Sequence, residues 1–455
     1  MRHSRPAPRT PHPSRTSLAR RAVLGGVAAA GLTAALPPAL TPSASAASPT
    51  PPRTPASARA SAAPRSEAFR FDLPAPTGRH PVGTTRLHLV DRSRTERWAE
   101  EPGHPRELMV SVWYPARAGA DAPSARYVTP GLAAAFAVYG QTQLDLPAGA
   151  LDWGDIGTHA TQGPPLAPGP HRRPIVLYTP GFQASRDIDT AVVTELASHG
   201  FVVVTVDHTY DAMAVEFPDG RVRTTSPLLT GLPHDEMVRA AIATRTADLR
   251  FVLDQVTALA RGRNPDVAGR PLPAGLARAL DTGRIGGYGH SIGPSALFDT
   301  MLADRRVRAG AIQDGPLVQG PGRPTDAARA GVRQPFLLMC GMLGEHYTDP
   351  FHHRSPLAAG LAALWENSPG WKRDLWSRGA AHQSYTDLQH VLPVLDAEFG
   401  VRDQAMEQIG SLDPAAFVAT RRAYLTAFFT RHLRHHPQPL LDAPSPRYPY
   451  VEFIA

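Results

Sequence analysis

The chain has 455 residues, of which 42% are hydrophobic and 19% charged, with a formal net charge of +7. That is apolar material enough for a sizeable buried core in one large domain or two ordinary ones. The charge does not argue for a nucleic-acid partner: residues 1–46 carry Arg2, Arg5, Arg9, Arg15, Arg20 and Arg21 but no Asp or Glu, and without them about +1 remains.

Taken in chain order, the basic start comes first. Arg20-Arg21 precedes a Gly/Ala-rich apolar run, Ala22 to Leu32, and small residues follow at Ala44-Ser45-Ala46. A charged start, an apolar middle and a small-residue site form an export signal. The paired arginines and weak hydrophobicity fit the twin-arginine variety, so the mature chain is expected to be secreted. The run is too short and too interrupted for a membrane anchor, and no other stretch approaches the roughly 20 apolar residues a span needs. Residues 47–66 are Ser, Thr, Pro, Ala and Arg without periodicity, and read as a linker. From there to residue 455 the composition is that of one folded domain without internal repeats.

Arg86–Val90 and Leu108–Tyr114 read as two strands opening a sheet in antiparallel fashion. Short apolar runs then alternate with helical patterns. Strands are expected at Ile175–Tyr178, Phe201–Val206, Ile285–Tyr288, Ala309–Ile312, Phe336–Cys340 and Lys372–Trp376. Helices are expected at Ile188–Ser198, Glu236–Ala260, Pro294–Ala303, Leu357–Leu364 and Ala415–Leu433. Strands of this length, apolar on both faces, are buried parallel strands, and alternation with helices covers both faces of the sheet. The fold class is therefore α/β: a doubly wound, mostly parallel sheet, whose active site lies beyond the carboxyl ends of the strands. Cys340, the only cysteine, falls inside a strand and reads as a core residue without a disulfide partner. Lys372 is the only lysine, so nearly all positive charge is arginine.

Gly289-His290-Ser291-Ile292-Gly293 stands where chemistry is expected, after one predicted strand and before a helix. A sharp turn at that place lifts a serine hydroxyl above the sheet, and glycines on both sides make room for neighbouring backbone. The helix amino terminus favours negative charge beside it. Ser291 needs a base, and the base an orienting acid, both expected later in the chain. His382 follows the last predicted strand and is the candidate base; His159, His208, His352-His353 and His435-His436 sit in less suitable places, and His290 should point away from the serine. For the acid, Asp314 follows the strand after the nucleophile helix, whereas Glu345 and Asp349 follow the next one; pattern alone favours Asp314 only slightly. The oxyanion needs backbone donors, assigned to Ile292 and to Phe182 in Thr179-Pro180-Gly181-Phe182, where Gly181 is expected to take an unusual backbone angle. No metal-ligand spacing and no dinucleotide or phosphate-loop motif is present, so no cofactor is expected.

These residues resemble the plasma-type platelet-activating-factor acetylhydrolases, a branch of the α/β-hydrolases. The likeness runs from about Phe69 to Leu433 and rests on Val112-Trp113-Tyr114-Pro115, Pro174 to Phe182, Gly289 to Gly293, Asp314 in Gln-Asp-Gly, and His382-Gln383. It implies that Asp314 is the acid, and that the substrate is a short acyl ester such as an acetylated, platelet-activating-factor-like lipid. A broader lipase, esterase or polyesterase is the alternative, and a non-catalytic binding protein of the same fold the more distant one. The chain departs from the family at Thr179-Pro180-Gly181-Phe182 and at Ile292-Gly293-Pro294, both in the pocket wall. The segment from about residue 127 to 161 lies where the family carries a cap that meets lipid. Its apolar run Gly131 to Tyr139 is read as burial over the pocket, with transient contact to a lipid surface as the alternative. No obligate protein partner is inferred.

Overall fold

The computed structural model describes residues 69–119, 121–169, 172–343 and 348–455; the expected export signal and linker lie outside them. A ten-stranded sheet organises the chain. Its strands are β1 (Val82–Thr95), β2 (Pro105–Pro115), β3 (Ala160–Gln162), β4 (Arg173–Thr179), β5 (Val202–Asp207), β6 (Leu280–His290), β7 (Val307–Gln313), β8 (Phe336–Cys340), β9 (Lys372–Ser377) and β10 (Val451–Ile454). Across the sheet they run β10-β9-β8-β7-β6-β4-β5-β2-β1-β3. The six strands from β9 to β5 are mutually parallel, while β2 joins β5, and β10 joins β9, in antiparallel fashion. This is the α/β-hydrolase architecture, doubly wound as the apolar runs require.

The central strands split their side chains between two layers. Val176 and Tyr178 of β4 enter one core, with α2 (Thr190–Ser198) and Phe417, Leu425 and Phe429 of the long carboxyl-terminal helix. Ile175 and Leu177 enter the other, with Leu249, Val252 and Leu253 of the 27-residue α3 (His234–Ala260) and Leu297 and Phe298 of α4 (Gly293–Ala303). All five residues of β8 are completely buried, so this strand has no polar face for solvent. Removing one such side chain, as in Leu337→Ala, costs about 2–5 kcal/mol.

The predicted strands and helices are present, several of them longer than expected. Among the elements not anticipated, three bear on the sheet and its cover. β3 is three residues long and pairs with the start of β1. The helix α5 (Leu388–Phe399) contains Pro393, which hides a helical pattern in sequence. β10 lies beyond α6 (Pro414–Arg434), the helix expected to close the fold, in a proline-rich tail that looks like coil. The last strand is therefore β10 rather than β9.

The apolar run in the cap segment forms α1 (Pro130–Gln143), capped by Thr129 and opened by Pro130. Its Leu132, Phe136 and Tyr139 are buried in the same core as Val176 and Tyr178. The Gly131 N–H donates to Glu216 Oε2 on the short hairpin Ala214–Glu216/Val222–Thr224. The helix turns Leu132, Phe136 and Tyr139 into the body of the protein and leaves Val138 exposed. No helix among the described residues is long and apolar enough to cross a membrane.

Candidate active site

β6 ends at His290 and α4 begins at Gly293, leaving Ser291 in a turn with φ of 59°. A non-glycine residue there costs about 1–3 kcal/mol, which the surroundings must offset. They do so by packing: a Cβ on Gly293 would lie 2.2 Å from the Thr179 carbonyl oxygen, and one on Gly289 2.8 Å from the same atom. A Cβ on Gly315 would come within 2.7 Å of the Ser291 carbonyl oxygen. The Ser291 N–H is anchored on the Gln313 carbonyl at 3.1 Å. The glycines flanking the serine are thus demanded by close approach of the backbone that follows β4.

That backbone is the turn Pro180-Gly181-Phe182-Gln183. A Cβ on Gly181 would lie 3.1 Å from Ser291 Cβ and 3.6 Å from its Oγ. The expectation that Gly181 adopts an unusual backbone angle is not met. The left-handed residue is Gln183, with φ of 57°, and Gly181 gives close packing against Ser291 and His290. The N–H groups of Phe182 and Ile292 have no acceptor among the described residues, and both residues are partly exposed.

Asp314 follows β7 with φ of 49° and is 1% exposed. Its N–H donates to the Met339 carbonyl at 2.9 Å, and its Oδ1 accepts the Gly341 N–H at 3.0 Å. The other oxygen, Oδ2, lies 2.6 Å from His382 Nδ1. A carboxylate only accepts, so Nδ1 is the donor in this contact, and in a neutral ring Nε2 is then the acceptor nitrogen. His382 opens a short 3₁₀ turn after β9 and retains 17% side-chain exposure.

His290 packs against the loop that carries His382. Its ring lies beside that of His382, with centroids 4.5 Å apart, and its Nε2 donates to the His382 carbonyl at 3.0 Å. Burial and the neighbouring His382 push its pKa well below the ordinary range, so it is a neutral prop for the loop bearing His382. Arg421 of α6 is another support without a local sequence signal. It donates to the Gln313 side chain at 3.2 Å and to the carbonyls of Tyr385 and Thr386 at 2.7 and 3.1 Å, tying the His382 loop to the end of β7.

The remaining candidates lie elsewhere. Asp349 is exposed, in a two-residue antiparallel pairing with Met342–Leu343, and Glu345 is outside the described residues. His208 is buried between Asp248 and Thr179, each 3.0 Å away. His353 pairs with Asp374 at 2.7 Å. Burial raises the pKa of Cys340, which keeps its thiol protonated and inert. Among the described residues no group of three or more His, Cys, Asp or Glu side chains could hold a metal ion.

A strand-to-helix serine, an adjacent turn whose Phe182 amide has no acceptor among the described residues, and a paired histidine and aspartate now share one edge of the sheet. Residues 68–437 match the family described as platelet-activating factor acetylhydrolase, isoform II. The chain belongs to this family. A probable 1-alkyl-2-acetylglycerophosphocholine esterase of Arthroderma benhamiae is 27% identical over 290 residues, covering 62% of this chain and 67% of that protein. The platelet-activating factor acetylhydrolase of Canis lupus familiaris is 27% identical over 252 residues, 52% of this chain and 53% of its own. The chain therefore spans about two thirds of the fungal relative and about half of the dog enzyme. Among solved structures, a ferulic acid esterase from Streptomyces cinnamoneus superposes with a TM-score of 0.64 at 34% identity, covering 85% of this chain and 99% of that one. Family and fold together make the chain a carboxylic ester hydrolase of the α/β-hydrolase class.

Proposed function

We propose that this acetylhydrolase-family member hydrolyses short acyl esters, among them platelet-activating-factor-like acetylated lipids, with Ser291, His382 and Asp314 as a catalytic triad. The observation that carries this reading is the 2.6 Å contact of His382 Nδ1 with buried Asp314, at the same sheet edge as left-handed Ser291. Nε2 of His382 takes the Ser291 proton as Oγ attacks the ester carbonyl. The tetrahedral oxyanion is received by the amides of Phe182 and Ile292, each worth about 3 kcal/mol of transition-state stabilisation. The alcohol leaves with the proton from His382, and an acyl-enzyme remains. Water, deprotonated by the same nitrogen, then adds to the acyl carbon and the free acid departs. We further propose that the chain acts after export, directed by Arg20-Arg21.

The name of the Arthroderma relative supports an acetyl ester on a glycerophosphocholine. A second reading, an aromatic feruloyl ester, is favoured by the Streptomyces neighbour, which matches over 99% of its own length. Initial rates on 4-nitrophenyl acetate, butyrate and palmitate, on a 2-acetyl glycerophosphocholine and on methyl ferulate separate the two. Acetyl esters should be cleaved fastest. Faster turnover of palmitate would remove the acetylhydrolase reading, and preference for ferulate would replace it. A fluorophosphonate that leaves Ser291 unlabelled in folded protein would point to a binding protein instead. For export, replacing Arg20 and Arg21 by lysine should strand the chain in the cytoplasm of a host that has the twin-arginine route.

A further inference from the structure

The turn that presents the Phe182 amide is held from behind by one buried side chain. Arg245, on α3, has no solvent exposure. Its Nη1 donates to the Pro180 carbonyl at 2.5 Å and its Nη2 to the Gly181 carbonyl at 2.9 Å. The guanidinium is itself aimed by Asp211, which accepts from Nε at 2.8 Å and also from Nη2. Asp211 lies just past β5, and its backbone carbonyl accepts the Gln183 N–H at 3.2 Å. One ion pair therefore fastens both ends of the turn.

Stability alone does not call for this arrangement, since a buried ion pair is often no better than apolar residues of the same volume. What a rigid guanidinium fork supplies is direction. No cis peptide occurs among the described residues, and across a trans peptide the N–H points opposite to the C=O. Holding the Gly181 carbonyl on Arg245 therefore sets where the Phe182 N–H points. The Ala184 N–H shares that carbonyl at 3.2 Å, but it belongs to the same turn and moves with it; Arg245 is the link to the body of the fold. The Phe182 N–H so aimed is left without an acceptor, beside a glycine that abuts Ser291.

We infer that Arg245, oriented by Asp211, is a positioning residue for oxyanion stabilisation, acting through the Gly181–Phe182 peptide plane without touching substrate. This rests on the assignment of Ser291 and Phe182 made above.

The test compares Arg245→Lys and Asp211→Asn with Arg422→Lys. Arg422 is another buried arginine, which holds the carbonyls of Pro74, Ala75 and Ala191. Active sites are titrated with a fluorophosphonate; kcat and KM are then read on 4-nitrophenyl acetate, and inhibition by a trifluoromethyl ketone, which forms a tetrahedral oxyanion on serine. For Arg245→Lys, kcat per titrated site should fall about 10–100-fold, short of the loss of a whole oxyanion donor. KM should stay within about threefold, and ketone affinity should weaken in step with kcat. Asp211→Asn should show the same pattern more weakly, and carries the test alone if Arg245→Lys does not fold. Arg422→Lys should lower the melting temperature while keeping kcat per titrated site. Ketone affinity unchanged in Asp211→Asn, or in folded Arg245→Lys, would overturn the inference. Failure of the wild type to be labelled at Ser291 would instead overturn the catalytic reading beneath it.

Discussion

Two histidine–aspartate pairs in this fold have nearly equal geometry. His382 meets Asp314 at 2.6 Å, and His353 meets Asp374 at 2.7 Å, each through Nδ1 and Oδ2. Both carboxylates are essentially buried, so neither bond length nor burial of the acid tells the pairs apart. The surroundings of the ring do. His353 lies flat on Trp365, with centroids 4.0 Å apart and planes 12° apart, and its backbone N–H donates to the same Asp374 oxygen at 2.8 Å. His382 is more open, 17% against 7%, and lies beside the residue preceding Ser291. A carboxylate can orient an imidazole for packing or for proton transfer, and the group facing the second ring nitrogen decides which.

The comparison breaks most visibly by substitution. Ser291→Ala should cost about 10⁴–10⁶ in kcat, the range seen when a triad nucleophile is removed. Asp314→Asn keeps an acceptor for the Gly341 N–H but admits the wrong tautomer of His382, and should cost about 10⁴. Rates on 4-nitrophenyl acetate, with circular-dichroism melts to show that both variants fold, check this. An Asp314→Asn enzyme retaining a tenth of wild-type activity would remove Asp314 from the triad.

His353→Gln and Asp374→Asn should do the reverse. Each leaves a buried polar group short of its partner, at a cost of about 1–3 kcal/mol of stability. The kcat per titrated active site should stay within about twofold, because neither residue contributes to the Ser291 edge. Urea unfolding beside active-site titration separates the two effects, and a selective loss of kcat would give the second pair a share in the chemistry.

The contrast also explains which features were legible in sequence. The strand-to-helix placement of Ser291 was readable because the motif is local, with its glycines and the junction within five residues. His382 was readable by its place after a strand. Asp314 and Asp349 follow successive strands, pattern alone favoured Asp314 only slightly, and the family likeness was needed to separate them. Arg245, Asp211 and Arg421 left no local trace: they join segments 30 to more than 100 residues apart, in a chain whose basic residues are all arginine except Lys372. Pairing of that range is set by the folded sheet, and no window of sequence contains it. The contact of His290 with the His382 carbonyl left no trace for the same reason, since the two residues are 92 positions apart. The strands were legible because burial on both faces writes continuous apolar runs, and β10 was hidden because an edge strand writes none.

A histidine without any carboxylate sharpens the point. His432 packs against Trp371 and Phe428, with centroids 4.4 and 4.9 Å away, and burial, aided by Arg431 and His435, pushes its pKa down to about 4. In the unfolded chain it takes up its proton near 6.5, and in the fold only near 4. Its contribution to stability is therefore complete above pH 6.5 and is lost as the pH falls toward 4. Melting temperatures across that window should decline less steeply for His432→Gln than for the wild type. Parallel curves would mean that His432 titrates alike in both states.

The smallest effect belongs to the rival acid. Asp349 follows β8, a position nearly as suitable in sequence as that of Asp314, yet it is exposed and bonds to no histidine among the described residues. An exposed carboxylate without a partner contributes within about 0.5 kcal/mol to stability and cannot hold an imidazole in one tautomer. Asp349→Asn should therefore leave kcat within about twofold of the wild type and the melting temperature unchanged, under the assay that registers the large loss in Asp314→Asn. The pairing of these two variants carries more than either alone. Both follow strands and both are conservative, so a difference of several orders of magnitude between them can arise only from contact with His382. A tenfold or greater loss in Asp349→Asn would mean that the loop after β8 closes over the site during turnover and contributes an acid there.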